Sequence, residues 1–397
     1  MKPIVRAGRM KPVHSDIRGP LFVEAMKRQK QGIDILKLNT GNPATFGFGL
    51  PDSIKNALME HMQDGVGYCD FKGMPQARQA ICDYETSKGI KGITPDDVFI
   101  GNGVSEVVSF ALTPLLNDGD EVLVPSPSYS LWGNSVYLED GKPVFYTCDE
   151  QANWYPDIQD IRSKITDKTK AIVIINPNNP TGVLYPKELL LEIIQIARES
   201  GLLIFADEIY DRLVMDGKQH ISLASLTEDV PVITLNGLSK SHCLCGYRCG
   251  WMVISGPREL TEDYRQGIIQ LTSLRLCANT MAQIVIPAAL DDMETPASMV
   301  RPGGRIYEQR EATVRELEKI DGLSFVKNDA AFYVFPKLDV KKFNITNDKQ
   351  FAHDLLDATN ILLVPGSGFD WKDPDHFRIV MLPQADILSD AIRRMGT

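Results

Sequence analysis

The sequence predicts an α/β protein with a large domain, in which a sheet is covered by helices, and a smaller α+β domain. Two observations carry this prediction. From about residue 95 onward, blocks typical of strands alternate with blocks typical of helices. After about residue 291 this alternation gives way to one long helical stretch, short strands and a further helix. At 397 residues the chain is long enough to bury a sizeable core.

Strands of the first unit are predicted where short apolar runs meet glycine, asparagine or proline. In chain order they are DDVFIGNG, DEVLVPSPSY, AIVIINPNNPTG, LLIFADEIY, VPVITLNG and GWMVISG. Between them, SEVVSFALTPLL predicts an apolar helix and KELLLEIIQIARES predicts an amphipathic one. In the latter, apolar residues from Leu189 to Ala197 recur at helical spacing, and Gly201 ends the helix.

The second unit is predicted to contain a long helix in GGRIYEQREATVRELEKI and a helix around QFAHDLLDAT. Strands are predicted in AAFYVFPKLD, ILLVPG and HFRIVML, and a short helix ends the chain. Because no Gly/Ser-rich or Pro-rich linker is present, the units are expected to pack closely. We place an N-terminal arm and part of the small domain at residues 1–46, the large domain at 47–290 and the small C-terminal domain at 291–397.

The composition predicts a soluble protein that binds neither nucleic acid nor membranes. The 42 basic and 52 acidic residues give a net charge of −10, which on average repels both kinds of partner. Apolar runs fall short of the roughly 18–20 residues of a membrane helix. The basic N-terminus lacks the apolar segment of a secretory signal, and an N-terminal arm is favoured over a mitochondrial presequence because serine is scarce. Seven scattered cysteines favour a reduced, cytoplasmic chain.

Several polar segments follow predicted strands, where α/β sheets bind ligands. GNGVSE at 101–106 joins a strand to a helix through two glycines, so its backbone N–H groups and the helix N-terminus can receive an anion. It departs from the dinucleotide-binding fingerprint, because Glu106 stands where the third glycine belongs. Asp207 ends another strand, where a helix cap or ion pair is the alternative reading. Lys240 follows a third strand and is a candidate for a lowered pKa and covalent catalysis, or else an ordinary solvated lysine.

Two arginines add positive charge near the same place. Arg248 follows Lys240 closely in the sequence GYRCGW. Arg378 lies inside an apolar strand, where an unpaired guanidinium is costly and an anionic ligand would offset that cost.

The segment from His242 to Cys249 is considered as a metal site and is not favoured. Cys243, Cys245 and Cys249 form C-x-C and C-x3-C spacings rather than the C-x2-C pairs typical of structural zinc. A tight loop of small packed residues is the preferred interpretation, so no metal is expected.

Taken together, the motifs resemble the pyridoxal-phosphate-dependent aminotransferases of fold type I. These motifs are NPNNPTG at 176–182, ADEIY at 206–210, GLSK at 237–240, Arg248 and FRI at 377–379. The resemblance runs from GNP at 41–43 over nearly the whole chain, and DIRGP, LKLNTGNP, GYCDFKG and LNGLSK make it most similar to the alanine aminotransferase branch. It implies a mostly parallel sheet, bound pyridoxal 5'-phosphate (PLP) and a homodimer. It also implies ping-pong exchange of an amino group between L-alanine/pyruvate and L-glutamate/2-oxoglutarate.

The resemblance implies that Lys240 holds the cofactor covalently and then shuttles a proton at the substrate Cα. Asp207 would face the pyridine nitrogen, and Tyr129 would stack on the ring. Asn179 and Tyr210 would donate hydrogen bonds to the ring oxygen. The cofactor phosphate would be bound by a set of small and basic residues: Gly103, Val104, Ser105, Ser239, Arg248 and the partner subunit's Tyr68.

For the substrate, the resemblance implies that Arg378 grips the α-carboxylate beside Asn179, with the backbone of Gly41 close by. One pocket must accept both the carboxylate of glutamate and the methyl group of alanine. Because alanine would leave a fixed buried arginine unpaired, a movable one is expected. Arg18, in DIRGP on the arm, is the candidate, and a surface ion pair with Asp16 or another acid is the alternative reading.

Departures from the family pattern and alternative functions remain open. Gly237 stands where many members have a phosphate-binding serine, so one phosphate contact is expected to be absent and Ser239 to compensate. The prolines after Ser126 and Asn179 resemble positions that follow cis peptide bonds. The alternative functions are an aminotransferase for valine, methionine or an aromatic amino acid, a lyase or decarboxylase of the same fold, and a non-catalytic cofactor-binding regulator.

Overall fold

The computed structural model describes residues 2–396. The α-helices are α1 (Pro20–Lys30), α2 (Asp52–His61), α3 (Pro75–Ser87), α4 (Val104–Leu112), α5 (Leu131–Leu138), α6 (Ile158–Lys164), α7 (Lys187–Ser200), α8 (Leu238–Ser241), α9 (Arg258–Arg275), α10 (Thr280–Ile284), α11 (Ile286–Asp291), α12 (Glu294–Val300), α13 (Arg305–Leu317), α14 (Asp348–Thr359) and α15 (Ala385–Met395). The strands are β1 (Leu36–Lys37), β2 (Val98–Gly101), β3 (Glu121–Ser126), β4 (Lys142–Asp149), β5 (Tyr155–Pro156), β6 (Thr169–Ile175), β7 (Leu203–Asp207), β8 (Val232–Gly237), β9 (Gly250–Ser255), β10 (Leu323–Ser324), β11 (Tyr333–Val334), β12 (Lys337–Leu338), β13 (Ile361–Leu362), β14 (Val364–Pro365) and β15 (Phe377–Val380).

Within residues 2–396, eight strands form one large sheet in the order β2-β9-β8-β7-β6-β3-β4-β5. The central strands β8, β7, β6, β3 and β4 are parallel, whereas β9 is antiparallel to both of its neighbours and β5 is antiparallel to β4. The predicted α/β class with a mostly parallel sheet is confirmed. The six predicted strands are present, but β4 and β5 at the edge were missed, because β4 mixes buried and accessible positions instead of forming one apolar run.

Alternate side chains of the central strands pack against helices on opposite faces of the sheet. In β6, Ala171, Val173 and Ile175 join an apolar cluster with α4, α5 and α9. Ile172 and Ile174 join a second cluster with α6 and α7. Since both faces are covered, the strand ends are left as the accessible place for a ligand.

Residues 291–396, here called the C-terminal region, form small sheets around another apolar cluster, and residues 47–290 are called the large-sheet region. In the C-terminal region β15 lies between β11 and β14 and is antiparallel to both. Helices α13, α14 and α15 contribute to the cluster behind it. Strand β1 pairs in parallel with β13, so part of the N-terminal segment packs with the C-terminal region.

The peptide bonds preceding Pro127, Pro177 and Pro180 are cis. The first and third are the two that the resemblance implied, and the second was not anticipated. Among residues 2–396, no single helix is long and apolar enough to cross a membrane. One broken pair, Arg258–Arg275 with Thr280–Asp291, meets the length and composition requirement only when both arms are counted across a bend of 119°.

Candidate active site

The carboxyl ends of β2, β3, β6, β7 and β8 meet at one edge of the large sheet, because these strands run in the same direction. The segments that follow them carry most of the polar residues singled out in the sequence. Residues 39–41, Arg248 and Arg378 approach the same edge from outside the parallel strands. This edge is therefore the candidate active site.

Lys240 lies on α8, a single helical turn that begins directly after β8 ends at Gly237. Its Nζ donates a hydrogen bond to the backbone oxygen of Gly41 at 2.8 Å. Burial lowers the pKa of Lys240, but Tyr333 and Cys245 raise it by more, so the pKa lies above that of an ordinary lysine. The expectation of a lowered pKa was therefore wrong for this chain.

Asp207 ends β7 and points toward α5, as does Phe205 two residues earlier. Its side chain is almost buried, and its Oδ2 accepts a hydrogen bond from the indole Nε1 of Trp132 at 3.1 Å. The backbone N–H of Ile209 reaches Oδ1 only at 3.4 Å. Burial raises the pKa of Asp207 to about 6, because these two contacts only partly offset the loss of water. A cation facing this carboxylate would stabilise its ionised form.

Arg378 is buried on β15, with its guanidinium between the rings of Tyr333 and Phe369, each 4.6 Å away. Its Nη1 donates to Oδ1 of Asn179 at 2.9 Å, and its Nη2 donates to the backbone oxygen of Asn39. Among the described residues its Nε has no hydrogen-bond partner. A buried guanidinium held by neutral partners and keeping a free donor suits a carboxylate ligand.

Tyr210 and Tyr333 place their hydroxyl oxygens 2.9 Å apart, which joins the β7 segment to the C-terminal region. Gly41 lies against the same hydroxyl group. A Cβ on Gly41 would lie only 2.1 Å from the Tyr333 hydroxyl oxygen, so a larger residue would displace that ring. This close approach explains why a glycine occupies position 41.

A cradle for an anion forms where β2 turns into α4. Gly103 has a positive φ of 85°, and Val104 begins the helix, so its first backbone N–H groups point into the site. Arg248 donates from Nη2 to the Ser105 hydroxyl at 3.0 Å and from Nη1 to the Cys245 carbonyl at 3.0 Å. A Cβ on Gly103 would lie 2.5 Å from Nη2 of Arg248, so glycine leaves room for the guanidinium.

The structure explains why position 237 is a glycine and not a serine, which the sequence alone does not. A Cβ at this position would lie 2.5 Å from the backbone oxygen of Cys249 on the neighbouring segment. Serine cannot enter here unless the backbone shifts. Ser239, the expected replacement contact, lies at the rim, where its backbone oxygen accepts a hydrogen bond from the Cys245 thiol at 3.0 Å.

Three predicted site residues are exposed on the surface of this chain. Tyr129 follows β3 and is 38% exposed. Tyr68 is 83% exposed and Arg18 is also exposed. Among residues 2–396, Arg18 has no hydrogen-bond or ion-pair partner. The alternative pairing with Asp16 is not formed, because Asp16 pairs with other cations.

The cysteine segment packs as a loop. Cys243 Sγ lies 3.8 Å from the sulfur of Met299, and Cys245 Sγ donates to Ser239. Imidazole Nδ1 of His242 forms a hydrogen bond with the Ser241 hydroxyl at 3.0 Å. These local partners are consistent with the interpretation of a tight packed loop.

The chain matches the family model for class I and II aminotransferases over residues 33–392. It is 50% identical to the glutamate-pyruvate aminotransferase AlaA of Haemophilus influenzae, covering all of this chain and 98% of that one. The chain belongs to the class I and II aminotransferases. A crystal structure of an aminotransferase from Escherichia coli superposes with a TM-score of 0.98 at 47% identity, covering 100% of this chain and 98% of that one. An alanine aminotransferase from Pyrococcus furiosus gives 0.93 at 41% identity, covering 99% and 98%.

Aminotransferases of this family depend on PLP, and the residues of this aminotransferase fit that cofactor. A lysine amine, a buried carboxylate and an arginine-lined helix N-terminus occupy one edge of the sheet. Each can meet a different group of the cofactor, namely its aldehyde, its ring nitrogen and its phosphate. The unpartnered Nε of Arg378 leaves a donor for the substrate.

Four residues of this aminotransferase site were missed by sequence reasoning. Trp132 orients Asp207, Tyr333 pairs with Tyr210, and Asn39 and Phe369 hold Arg378. A signal existed for Asn39, which lies within the quoted LKLNTGNP motif. The others are aromatic residues, for which a core position is the default expectation.

A closed ionic cluster lies behind the site, at the strand that also carries Asp207. Nζ of Lys88 lies 2.7 Å from Glu85, 2.8 Å from Glu208 and 3.2 Å from Asp211, and this group is called the Lys88 cluster. Glu208 and Asp211, with His220, also have the spacing of a metal site. The ammonium of Lys88 already fills the place of a cation there.

Proposed function

We propose that this aminotransferase exchanges the amino group between L-alanine/pyruvate and L-glutamate/2-oxoglutarate by a ping-pong mechanism. The observation that carries the proposal is Arg378, a buried guanidinium with a free Nε beside Lys240 and Asn179. The relative that is 50% identical is named for glutamate and pyruvate, and relatives from Mycobacterium that are 44% identical are named alanine aminotransferase.

The proposed cofactor is PLP, which supplies an electron sink for the carbanion formed at the substrate Cα. Lys240 would hold it covalently and Asp207 would face its ring nitrogen. Asn179 and Tyr210 would donate to its ring oxygen, and Tyr129 would cover its ring. Its phosphate would be bound by residues at the α4 N-terminus and its surroundings, namely Gly103, Val104, Ser105, Ser239 and Arg248.

The chain's own residues then divide the work. Arg378 would bind the α-carboxylate through the edge that carries Nε, with Asn179 holding the other side of the guanidinium. The backbone of Gly41 would border the substrate. Once free, Nζ of Lys240 would take the proton from the substrate Cα and pass it to carbon C4′ of the cofactor, and in the second half of the cycle it would move a proton in the opposite direction. Asp207, fixed by Trp132, would supply the negative charge that keeps the ring nitrogen protonated.

We propose that Arg18 binds the distal carboxylate of glutamate. The side chain is exposed and unpaired within residues 2–396, so it has few contacts to break when it moves. With alanine it would return to water instead of remaining buried without a partner. This arrangement lets one pocket accept both substrates.

We further propose a homodimer in which Tyr68 reaches the phosphate site of the other subunit. Tyr68 lies in a stretch of chain that also exposes Met59, Met62 and Val66, and exposed apolar side chains close together in sequence support an interface here. The proposed domains are residues 1–46 (arm and part of the small domain), 47–290 and 291–397. We also propose a cytoplasmic location, supported by cysteines that are all free.

The proposal is tested with purified, PLP-loaded protein by adding L-alanine or L-glutamate and following the visible absorption of the cofactor. Either amino acid should convert it to the aminated form, and pyruvate or 2-oxoglutarate should restore the original spectrum. A spectrum insensitive to alanine and glutamate but responsive to valine, methionine or an aromatic amino acid would assign the other donor class.

Arg18→Ala is the sharper variant for the same assay. We expect kcat/KM for glutamate to fall at least about tenfold more than for alanine, because only glutamate loses a charged contact of about 1.5–3 kcal/mol. Arg9→Ala, which removes another exposed arginine of the arm, is the matched control. Equal losses for glutamate and alanine would refute the role of Arg18.

A further inference from the structure

His376 lies at the junction of the large-sheet region and the C-terminal region, with its side chain completely buried. Its Nδ1 lies 2.6 Å from Oδ1 of Asp375, and its Nε2 lies 3.4 Å from Oε1 of Glu150, within ion-pair distance but without forming a hydrogen bond among the described residues. Lys337 closes the ring of charges, with Nζ 2.9 Å from Glu150 and 3.6 Å from Asp375. We call these four residues the His376 clamp.

Aromatic rings enclose the imidazole on the sides that the carboxylates leave free. Phe335 is stacked on it with ring centres 4.9 Å apart, and Trp154 and Trp371 meet it edge-on at 5.1 and 5.3 Å. Such a box attracts a cation through the ring faces and keeps water away. It therefore strengthens whatever charge interactions His376 makes.

The charge balance of the clamp favours a protonated imidazole. Glu150 and Asp375 carry two negative charges and Lys337, which is 38% exposed, carries one positive charge, so a neutral His376 would leave one largely buried negative charge without compensation. With His376 as imidazolium the four groups sum to zero. Burial lowers the pKa of His376, but Asp375 and Glu150 raise it by more, so the pKa lies above the ordinary value.

The clamp joins two parts of the chain next to the substrate-binding arginine. Glu150 and Trp154 follow β4 of the large sheet, whereas His376 directly precedes β15. Residues two apart on a strand share a face, so His376 and Arg378 are held on the same side of this segment. The backbone oxygen of His376 also accepts a hydrogen bond from the backbone N–H of Gly366 at 2.8 Å. This bond fixes the position of His376 relative to the segment that follows β14.

We propose that His376 is a positioning residue for Arg378: as an imidazolium, it ties the start of β15 to Glu150 and so fixes where Arg378 meets the substrate carboxylate. This inference rests on the proposed role of Arg378 but not on which amino acids are exchanged. The titratable groups facing His376 are Asp375 on its own segment, Lys337 on β12 and Glu150 after β4. All three keep their charge at neutral and mildly alkaline pH, so His376 alone titrates there.

The test compares PLP-loaded wild type and His376→Gln in steady-state transamination between pH 6 and 10. Glutamine keeps a polar side chain but cannot carry the charge. We expect KM for the amino acid and for the 2-oxo acid each to rise about tenfold, while kcat changes less than about threefold, because Arg378 is displaced but the residues around Lys240 are not. In wild type, KM for the 2-oxo acid, which has no amino group to titrate, should rise as pH passes the raised pKa of His376, and the variant should lack this limb.

Glu150→Gln provides an independent variant, because it leaves His376 in place and removes only its partner on the large-sheet region. It should raise KM in the same way. His353→Gln alters an exposed histidine on α14 and should leave KM unchanged. If His376→Gln fails to fold, Glu150→Gln decides the question.

Unchanged KM values, or a limb in the KM for the 2-oxo acid that persists in His376→Gln, would overturn the proposal. A loss confined to kcat, with KM intact, would also overturn it, because that pattern points away from Arg378. If wild type does not accept alanine, the proposed function fails, and the same comparison is then made with the amino acid that it does accept.

Discussion

Asp207, at the end of β7, and Glu208, directly after it, belong to two groups of charged residues. The two groups differ in how many partners each carboxylate has. Glu208 belongs to the Lys88 cluster, where it lies 2.8 Å from Nζ of Lys88 and accepts hydrogen bonds from Ser222 and the backbone of Leu223. Asp207 receives one indole N–H and one long backbone contact. The first carboxylate is fully partnered, whereas the second keeps capacity for a cation.

The same contrast separates the cations. Lys88 faces three carboxylates, whereas Arg378 is held by Asn179, a backbone oxygen and two rings and keeps Nε free. In the Lys88 cluster all three carboxylates already meet the same ammonium, so these contacts stabilise the fold and leave no open place for a ligand. In the open group around Asp207 and Arg378, burying charged groups with few partners costs free energy. A ligand that supplies the missing partners removes this cost and therefore binds more tightly. Burial alone does not distinguish a structural charge from a functional one, but the count of partners does.

The largest effect is expected from disrupting the Lys88 cluster. Lys88→Met leaves buried carboxylates unpaired and should lower the free energy of unfolding by about 3–5 kcal/mol. Urea denaturation measures this change. The turnover of the protein that remains folded and PLP-loaded should stay close to wild type, because Lys88 faces away from the substrate.

Lys91→Met is the matched control, because Lys91 pairs with Glu228 on the surface, where both side chains are more than two-thirds exposed. Its effect on unfolding should be far smaller. Equal destabilisation by the two substitutions would mean that the Lys88 cluster contributes no special stability.

The next largest effect is expected at Asp207, where a substitution should impair catalysis without destabilising the fold. Asp207→Asn should lower kcat about 10²–10³-fold, because it removes the charge facing the cofactor. The pKa of Asp207 is raised to about 6 by burial, so in the cofactor-free chain ionisation is unfavourable and stability falls as pH rises from about 4 to about 6. Asparagine cannot ionise, so the variant should lose this decline.

Unfolding of the cofactor-free variant is therefore measured at pH 4.5 and 7. Glu208→Gln serves as the contrasting neighbour and should destabilise the fold at neutral pH, since the NH2 group of glutamine would face donors, either Lys88 or Ser222 and the backbone of Leu223. A strongly destabilised Asp207→Asn at pH 7 would contradict the assignment of Asp207 to the open group.

The sequence was sufficient to predict the architecture because the signals are local. Apolar runs ended by glycine or proline located the central strands, and the polar residues after β6, β7 and β8 meet at one edge because parallel strands end together. Edge strand β4 was missed because its burial is incomplete. The ionic partner of Glu208 is Lys88, 120 residues away in sequence, and no local pattern connects the two.

Gly237 illustrates the same limit within the site. The sequence indicates that a serine is absent, but the cause is the Cys249 carbonyl, which approaches from the neighbouring segment. Lys240 shows a further limit, since its pKa depends on Tyr333 from the C-terminal region. Motifs identify which residues meet, whereas their charge states depend on contacts made through the tertiary fold.

The smallest expected effect tests the geometry of the open group rather than its charge. Arg378→Lys keeps the positive charge, but an ammonium cannot serve Asn179, the Asn39 carbonyl and a carboxylate with one planar fork. KM should rise about tenfold for amino acids and 2-oxo acids alike, since both carry the carboxylate next to the reacting carbon. This distinguishes Arg378 from Arg18, whose loss should affect glutamate selectively. Unchanged KM values in Arg378→Lys would show that charge alone suffices, and the free Nε would then lose its significance.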